Sequence, residues 1–202
     1  MPGLALALLG VYGLVTLVLR VVVQLVLTGS TGIKGIGAGA APRELAAGLL
    51  FLSAIALSVA GAVQARHGTV NPIGALDCHA GHVAGGVLAM GGTAATAAAQ
   101  LAMGRAWRIG VDPGERTPLL TGGPFAVVRN PVYAAMIPFF AGIALLVPNA
   151  LAIAGAALIL VALELQTRFV EEPHLRRVHG AAYADYAARV GRFVPRVGRL
   201  RR

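Results

Sequence analysis

The sequence predicts an all-α integral membrane protein of about five transmembrane helices, with a C-terminal helical hairpin and a cytoplasmic amphipathic helix. Three observations predict it. The 202 residues are 57% hydrophobic and 12% charged, with a mean hydropathy of +0.76, whereas soluble domains carry roughly 25% charged residues. Apolar segments close to the ~20 residues that cross a hydrocarbon core recur five times. Backbone groups in lipid must be paired internally, so these segments are helices. Basic residues gather on alternate connections, as the positive-inside rule requires of a multi-pass chain.

The first span covers residues 4–27. Its first basic residue is Arg20, so it lacks the charged start of a signal peptide, is longer than a signal's apolar core, and reads as a retained helix. Arg20 falls near the cytoplasmic end, where it is expected to snorkel to the headgroups. Spans two and three cover 44–63 and 82–103. Gly81-x-x-x-Gly85 and the Ala/Gly run from Gly91 to Ala99 would let neighbouring helices approach closely. Spans four and five, 132–147 and 149–165, are short and meet at Pro148 and Asn149, which predicts a tight hairpin. Beyond them, Leu175, Val178, Ala182, Tyr186 and Val190 recur at three- and four-residue steps. That spacing predicts a surface helix over 173–190, with Arg176, Arg177, Asp185 and Arg189 on its other face and His174 and His179 as surface residues. Residues 1–103 form a three-helix N-terminal part, and residues 104–202 a part that carries the chemistry.

Five spans place Lys34, Arg43, Arg105, Arg108, Arg116, Arg129 and nine arginines from Arg168 to Arg202 on one side, against Arg66 on the other. The N-terminus is therefore expected outside and the C-terminus in the cytoplasm. The net charge of +9 belongs to groups facing anionic lipid, so the bilayer is the expected partner and nucleic acid is not. The final Arg196, Arg199, Arg201 and Arg202 read as a basic lipid anchor. A single cysteine, Cys78, excludes an internal disulfide and any Cys-pair metal or redox motif. His79 and His82 stand three residues apart beside His67 and Asp77, but nothing converges on them as a third and fourth ligand, so no metal site is expected. Gly35-x-Gly37-x-Gly39 follows no strand and is not a dinucleotide fingerprint.

Two cytoplasmic segments carry residues suited to chemistry. The first runs Gly122-Gly123-Pro124-Phe125-Ala126-Val127-Val128-Arg129-Asn130-Pro131-Val132-Tyr133 into span four. A guanidinium beside a helix N-terminus attracts carboxylate or phosphate; the same residues also read as a plain helix start with a lipid-facing arginine. In the second segment, Glu164, Arg168 and Glu172 lie at four-residue steps on one helical face. Ionisable groups at that depth tend to face a protein-lined cavity, and the alternative is a self-satisfied ion-pair ladder.

At these segments the sequence resembles the isoprenylcysteine carboxyl methyltransferase family, which also embraces phospholipid methyltransferase-like membrane enzymes. The resemblance rests on Met103-Gly104-Arg105-Ala106-Trp107-Arg108, on Leu119-Leu120-Thr121-Gly122-Gly123-Pro124-Phe125, and on Arg129-Asn130-Pro131-Val132-Tyr133. It resumes with Glu171-Glu172-x-x-Leu175 and Gly180-x-x-Tyr183-x-x-Tyr186, and closes with Arg192-Phe193-Val194-Pro195. It covers roughly the C-terminal half. It implies a helical methyltransferase using S-adenosyl-L-methionine in the cell (inner) membrane. By the family pattern, Gly123, Pro124, Phe125, Arg129, Asn130, Pro131 and Tyr133 form one wall of the cofactor site and Glu171 and Glu172 the other. Arg129, Arg168 and Glu172 are implied at the catalytic centre, with Arg168 and Glu172 as a charged pair. Asn130 stands where eukaryotic members have histidine, which bears on the acceptor and not on the cofactor.

Methyl transfer from a sulfonium is an in-line displacement, so the protein has chiefly to align three atoms in a dry pocket, without a metal. Arg129 and Arg168 are interchangeable as partners of cofactor and acceptor on spacing alone. The acceptor class is lipidic or small and hydrophobic. An NADPH-dependent reductase of the steroid 5-alpha-reductase type shares a similar C-terminal segment, and a non-catalytic membrane protein is the third reading.

Overall fold

In a computed structural model of the protein, residues 1–33, 42–110 and 118–200 are described. Lys34, the glycines of 35–39, Arg116, Arg201 and Arg202 lie outside the described residues. Helix α1 (Pro2–Thr28) contains a π-helical stretch at Leu14–Leu19. It is followed by α2 (Pro42–His67), α3 (His79–Met103), the single turn α4 (Pro124–Val127), α5 (Pro131–Leu146), α6 (Ala150–Gln166) and α7 (Glu172–Arg189). No strand occurs among the described residues. Four helical stretches are long and apolar enough to cross a membrane, and α5 is a shorter apolar helix. The 16 residues of α5 extend about 24 Å at the helical rise, somewhat under the ~30 Å hydrocarbon core.

Local chemistry accounts for the helix ends. Proline occupies the first turn of α1, α4 and α5, where its missing N–H would have had no partner. The turn between α5 and α6 is tied by Asn149, whose Oδ1 accepts from Leu151 N and Ala152 N, both at 3.1 Å. Its Nδ2 donates to Gly61 O at 3.0 Å and Val147 O at 3.1 Å. A buried amide with every hydrogen-bonding group used fixes the predicted hairpin against α2.

The hairpin distributes its two helices to different neighbours: α5 packs along α3, and α6 along α2. A Cβ added at Gly142 would lie 2.5 Å from Gly85 O, and one at Gly92 2.7 Å from Phe139 N. The α3 and α5 backbones are therefore in direct contact, the role expected of small residues between membrane helices. Gly91 meets nothing within 4 Å, so only one face of the small-residue run serves packing. Tyr12 of α1 stacks on Phe139, with ring centroids 3.8 Å apart, and the core continues through Ile143, Leu146, Ile159 and Leu163.

Two expectations need correction. Arg20 does not reach outward; it is buried, and its Nη2 donates to Gly104 O at 2.5 Å. It belongs to a polar seam in which Gln100 Nε2 donates to Thr16 O at 3.0 Å and Gln24 Nε2 to Arg105 O at 2.9 Å. Thr16, Arg20 and Gln24 follow at four-residue steps, so one face of α1 presents all three to the end of α3.

The C-terminal helix also differs from its periodic reading. The chain does not break after span five but continues through a π-helical turn at Thr167–Glu171 into α7. Inside α7, Gly180 takes φ 51°, ψ −125°, a conformation open to glycine because it has no Cβ. The kink resets the helical phase, so Ala182 is exposed while Tyr183, Tyr186 and Ala187 are buried. His174, expected on the surface, is buried as well.

Candidate functional site

The segment before α5 is laid against the C-terminal tail by backbone pairing. Gly123, at φ 57°, turns the chain into α4, and Tyr186 Oη donates to Phe125 O at 2.6 Å. Arg129 N donates to Gly191 O at 2.8 Å and Asn130 N to Arg192 O at 3.1 Å. The Asn130 Nδ2 amide donates to the same Arg192 oxygen at 3.4 Å. Pro131, buried, begins α5. Residues 123–131 and 186–198 thus form one hydrogen-bonded plate over the end of the fold that carries the tail.

Arg129 is the rivet of this plate. Its Nη1 donates to Ala187 O at 3.1 Å and Val190 O at 2.5 Å, and its Nη2 to Gly198 O at 3.0 Å and Glu172 Oε1 at 2.7 Å. A buried guanidinium whose two Nη groups are taken by three carbonyls and a carboxylate, with its Nε buried and unpartnered, fixes its neighbours more than it offers contacts to a ligand.

Glu172 is shared. Arg192 Nε donates to its Oε1 at 2.9 Å and Arg192 Nη2 to its Oε2 at 3.1 Å, a two-pronged pair. The hydrogen bond from Arg192 to Glu172, with the charges of Glu172 and Glu164, raises the Arg192 pKa above the ordinary arginine value. The remaining Nη1 reaches Glu164 Oε2 at 3.1 Å, and Glu164 Oε2 also accepts from Arg168 Nε at 2.7 Å. The charges therefore alternate along one continuous chain, Arg129–Glu172–Arg192–Glu164–Arg168. Side-chain exposure rises along it from 2% at Arg129 to 56% at Arg168, so the buried end is structural and the open end is accessible.

Glu171 faces away from this chain and accepts a short hydrogen bond from Tyr133 Oη, while Arg108 is near enough to act on its charge. Tyr133 packs edge-on to Phe193, with centroids 6.5 Å apart, so α5, the π-helical turn and the tail converge on one point.

With this geometry in hand, comparison with known families is decisive: the phospholipid methyltransferase family matches residues 80–182, just over half of the chain. The chain belongs to the phospholipid methyltransferase family. The match to the phospholipid methyltransferase family begins in α3, takes in Arg129, Tyr133, Arg168, Glu171 and Glu172, and ends within α7. A search of curated proteins finds no match.

For this phospholipid methyltransferase family member, the sequence-selected residues divide into two groups. Glu171, Glu172, Arg129 and Tyr133 are brought together through α5, α7 and the tail, whereas Gly123, Pro124 and Phe125 shape the turn that the tail grips. Arg168 stands apart: it pairs with Glu164 and not with Glu172, because Arg192 occupies the Glu172 carboxylate from the other side. Sequence reasoning did not select Arg192 or His174. Arg192 was one of nine C-terminal arginines with nothing in spacing to separate it from a lipid anchor; its only signal was its place in the Arg192-Phe193-Val194-Pro195 run. His174 lies before the kink at Gly180, and nothing in its spacing marked it as buried.

Proposed function

We propose that the protein is an S-adenosyl-L-methionine-dependent membrane methyltransferase acting on a lipidic or small hydrophobic acceptor, in the manner of an isoprenylcysteine carboxylate O-methyltransferase. The observation that carries the reading is the adjacency of Glu171 and Glu172, each held by its own partner: Tyr133 for the first, Arg129 and Arg192 for the second. The donor set fits the cofactor, whose amino-acid end carries an ammonium and a carboxylate. Carboxylates suit the first, and the accessible Arg168 guanidinium suits the second. S-adenosyl-L-methionine supplies a methyl group on a positively charged sulfur that departs as a neutral thioether.

The chain's own residues have three tasks in this reading. Glu171 binds and orients the positive parts of the cofactor, and Glu172, held on both oxygens by Arg129 and Arg192, adds its negative charge beside it. Arg168, on the open end of the charge chain, holds an anionic group of cofactor or acceptor. Arg129 and Arg192 are positioning residues that hold the carboxylates and the tail in place, so that the reacting groups meet in line with water excluded. The catalytic machinery falls in residues 104–202, with the spans of 1–103 as its support. The protein lies in the cell (inner) membrane with the N-terminus outside and the site on the cytoplasmic face.

Thermal-shift measurements on the purified protein with S-adenosylhomocysteine and with NADPH test this, because a ligand that binds the native state raises its apparent stability. Stabilisation by S-adenosylhomocysteine alone is expected, together with transfer of labelled methyl groups to extracted membrane lipids. Stabilisation by NADPH alone would overturn the reading in favour of a reductase.

A further inference from the structure

Near the end of α1, Gln24 is 4% exposed and uses only one end of its amide. Its Nε2 donates to Arg105 O at 2.9 Å. A carbonyl oxygen can only accept, so this contact fixes which way the amide points. The other end, Oε1, is buried and has no partner. A bare amide oxygen in such a place is disfavoured until a hydrogen-bond donor satisfies it. One turn on, the Thr28 hydroxyl donates to Gln24 O at 2.8 Å and accepts from Ser30 N at 3.2 Å. Its proton is thereby used, and one lone pair is left to accept. Gln24 and Thr28 are four residues apart on one helical face, so these two acceptors are neighbours.

Both residues line a cavity of about 220 Å³, together with Ser30, Arg105, Trp107 and Arg108. Its wall closes at Gly32, whose O accepts from Ile109 N at 2.9 Å. A Cβ at Gly32 would lie 3.0 Å from the Gln24 side chain and from the Trp107 ring, so glycine is what lets the wall close. The lining also decides the charge of an occupant. No acidic side chain lines the cavity among the described residues, and two guanidiniums repel a cation. Neither of them calls for an anion: Arg105 Nη1 already donates to Leu27 O, and Arg108 is near enough to Glu171 to act on its charge. Arg20 lies over the Trp107 ring and adds no charge to the lining. The complement is an uncharged group with two adjacent donors, and an aliphatic amine, protonated near neutral pH, does not meet it. Two hydroxyls on neighbouring carbons do, and their oxygens can accept from the Ser30 hydroxyl in return.

We infer that this cavity binds an uncharged diol, with one hydroxyl donating to Gln24 Oε1 and its neighbour to Thr28 Oγ1. The glycerol headgroup of a neutral lipid and the ribose of a soluble nucleoside share this chemistry. The cavity lies at the end of a helix long and apolar enough to cross a membrane, within reach of either source. The site does not rest on the methyltransferase reading.

The test uses the full chain in phosphatidylcholine nanodiscs, with melting temperature as the readout. Monooleoylglycerol is compared with its dimethyl ether, and adenosine with the dideoxy form that lacks both ribose hydroxyls. A rise with monooleoylglycerol alone assigns a lipid headgroup, a rise with adenosine alone assigns a nucleoside, and a rise with both assigns the diol from either source. The ether and the dideoxy form are expected to leave the melting temperature unchanged. Gln24→Met removes the bare acceptor at similar volume and is expected to weaken the response about tenfold, as loss of one buried hydrogen bond does. Where that variant folds poorly, the comparison of each diol with its analogue on the wild-type chain decides. Arg177→Gln, on the exposed face of α7, is expected to leave the response unchanged. No rise with either diol, equal rises with a diol and its analogue, or an undiminished response in folded Gln24→Met overturns the inference. S-adenosylhomocysteine binding, measured on the same samples, stands or falls separately, so failure of the methyltransferase reading leaves the diol response intact.

Discussion

Arg129 and Arg192 donate to the same atom, Glu172 Oε1, at 2.7 and 2.9 Å. One carboxylate therefore keeps apart two guanidiniums that approach it from α5's leading segment and from the tail. Glu172→Gln leaves Arg129 buried without a counter-charge and Arg192 with Glu164 alone, and removal of one partner from a buried ion pair destabilises by about 3–5 kcal/mol. Unfolding in denaturant should show that loss together with the loss of methyl transfer.

Arg129→Lys keeps the charge and loses the planar fork. A lysine cannot reach the carbonyls of Ala187, Val190 and Gly198 and the Glu172 carboxylate at once. The tail from 190 onward is expected to come loose, which limited proteolysis would register as new cleavage there. A digestion pattern identical to wild type would contradict the fastening role.

Arg168→Ala behaves differently. Its side chain is 56% exposed and its pair with Glu164 follows the four-residue helical spacing, so the change is expected to alter stability by less than about 1 kcal/mol. Methyl transfer is expected to fall by at least about tenfold, the loss of one charged contact to a bound ligand. Activity and melting temperature measured on the same preparation separate the two effects.

Tyr133→Phe removes the hydroxyl that donates to Glu171 and leaves the ring against Phe193 in place. Loss of this donor to a carboxylate destabilises by about 1–3 kcal/mol. S-adenosylhomocysteine affinity is expected to drop with it, since the carboxylate is no longer held in one orientation. Isothermal titration of wild type and variant is the check.

Gly91 and Gly92 are neighbours with opposite expectations. A Cβ at Gly92 would lie 2.7 Å from Phe139 N, whereas one at Gly91 meets nothing within 4 Å. Gly92→Ala should force α3 away from α5 and destabilise by about 1–3 kcal/mol, as overpacking of a close interface does. Gly91→Ala should match wild type or exceed it slightly, since alanine is the better helix former.

The helical spans and the hairpin were legible because hydropathy over about 20 residues and the Pro148–Asn149 break are local properties. The burial of Arg20 was not. Nothing near it in sequence marks the carbonyl of Gly104 as its acceptor, and an arginine at a helix end is ordinarily a snorkelling one. The same holds for α7, where one glycine in an unusual conformation displaced the periodic pattern and hid the burial of Tyr183.

By itself, the sequence determined that the chain is helical, that it carries apolar helices able to cross a bilayer, and that its charges collect around 129, 164–172 and the tail. Composition and periodicity suffice for that, because lipid admits few backbone arrangements. Which charge meets which was decided only by the tertiary structure. Glu164, Arg168 and Glu172 share a helical face, and their spacing alone pairs Arg168 with either acid. Backbone pairing of 129–130 with 191–192 brings Arg192 onto Glu172 and leaves Arg168 to Glu164 at the open edge. Contacts between segments distant in sequence depend on how the chain closes, and no local pattern records that closure.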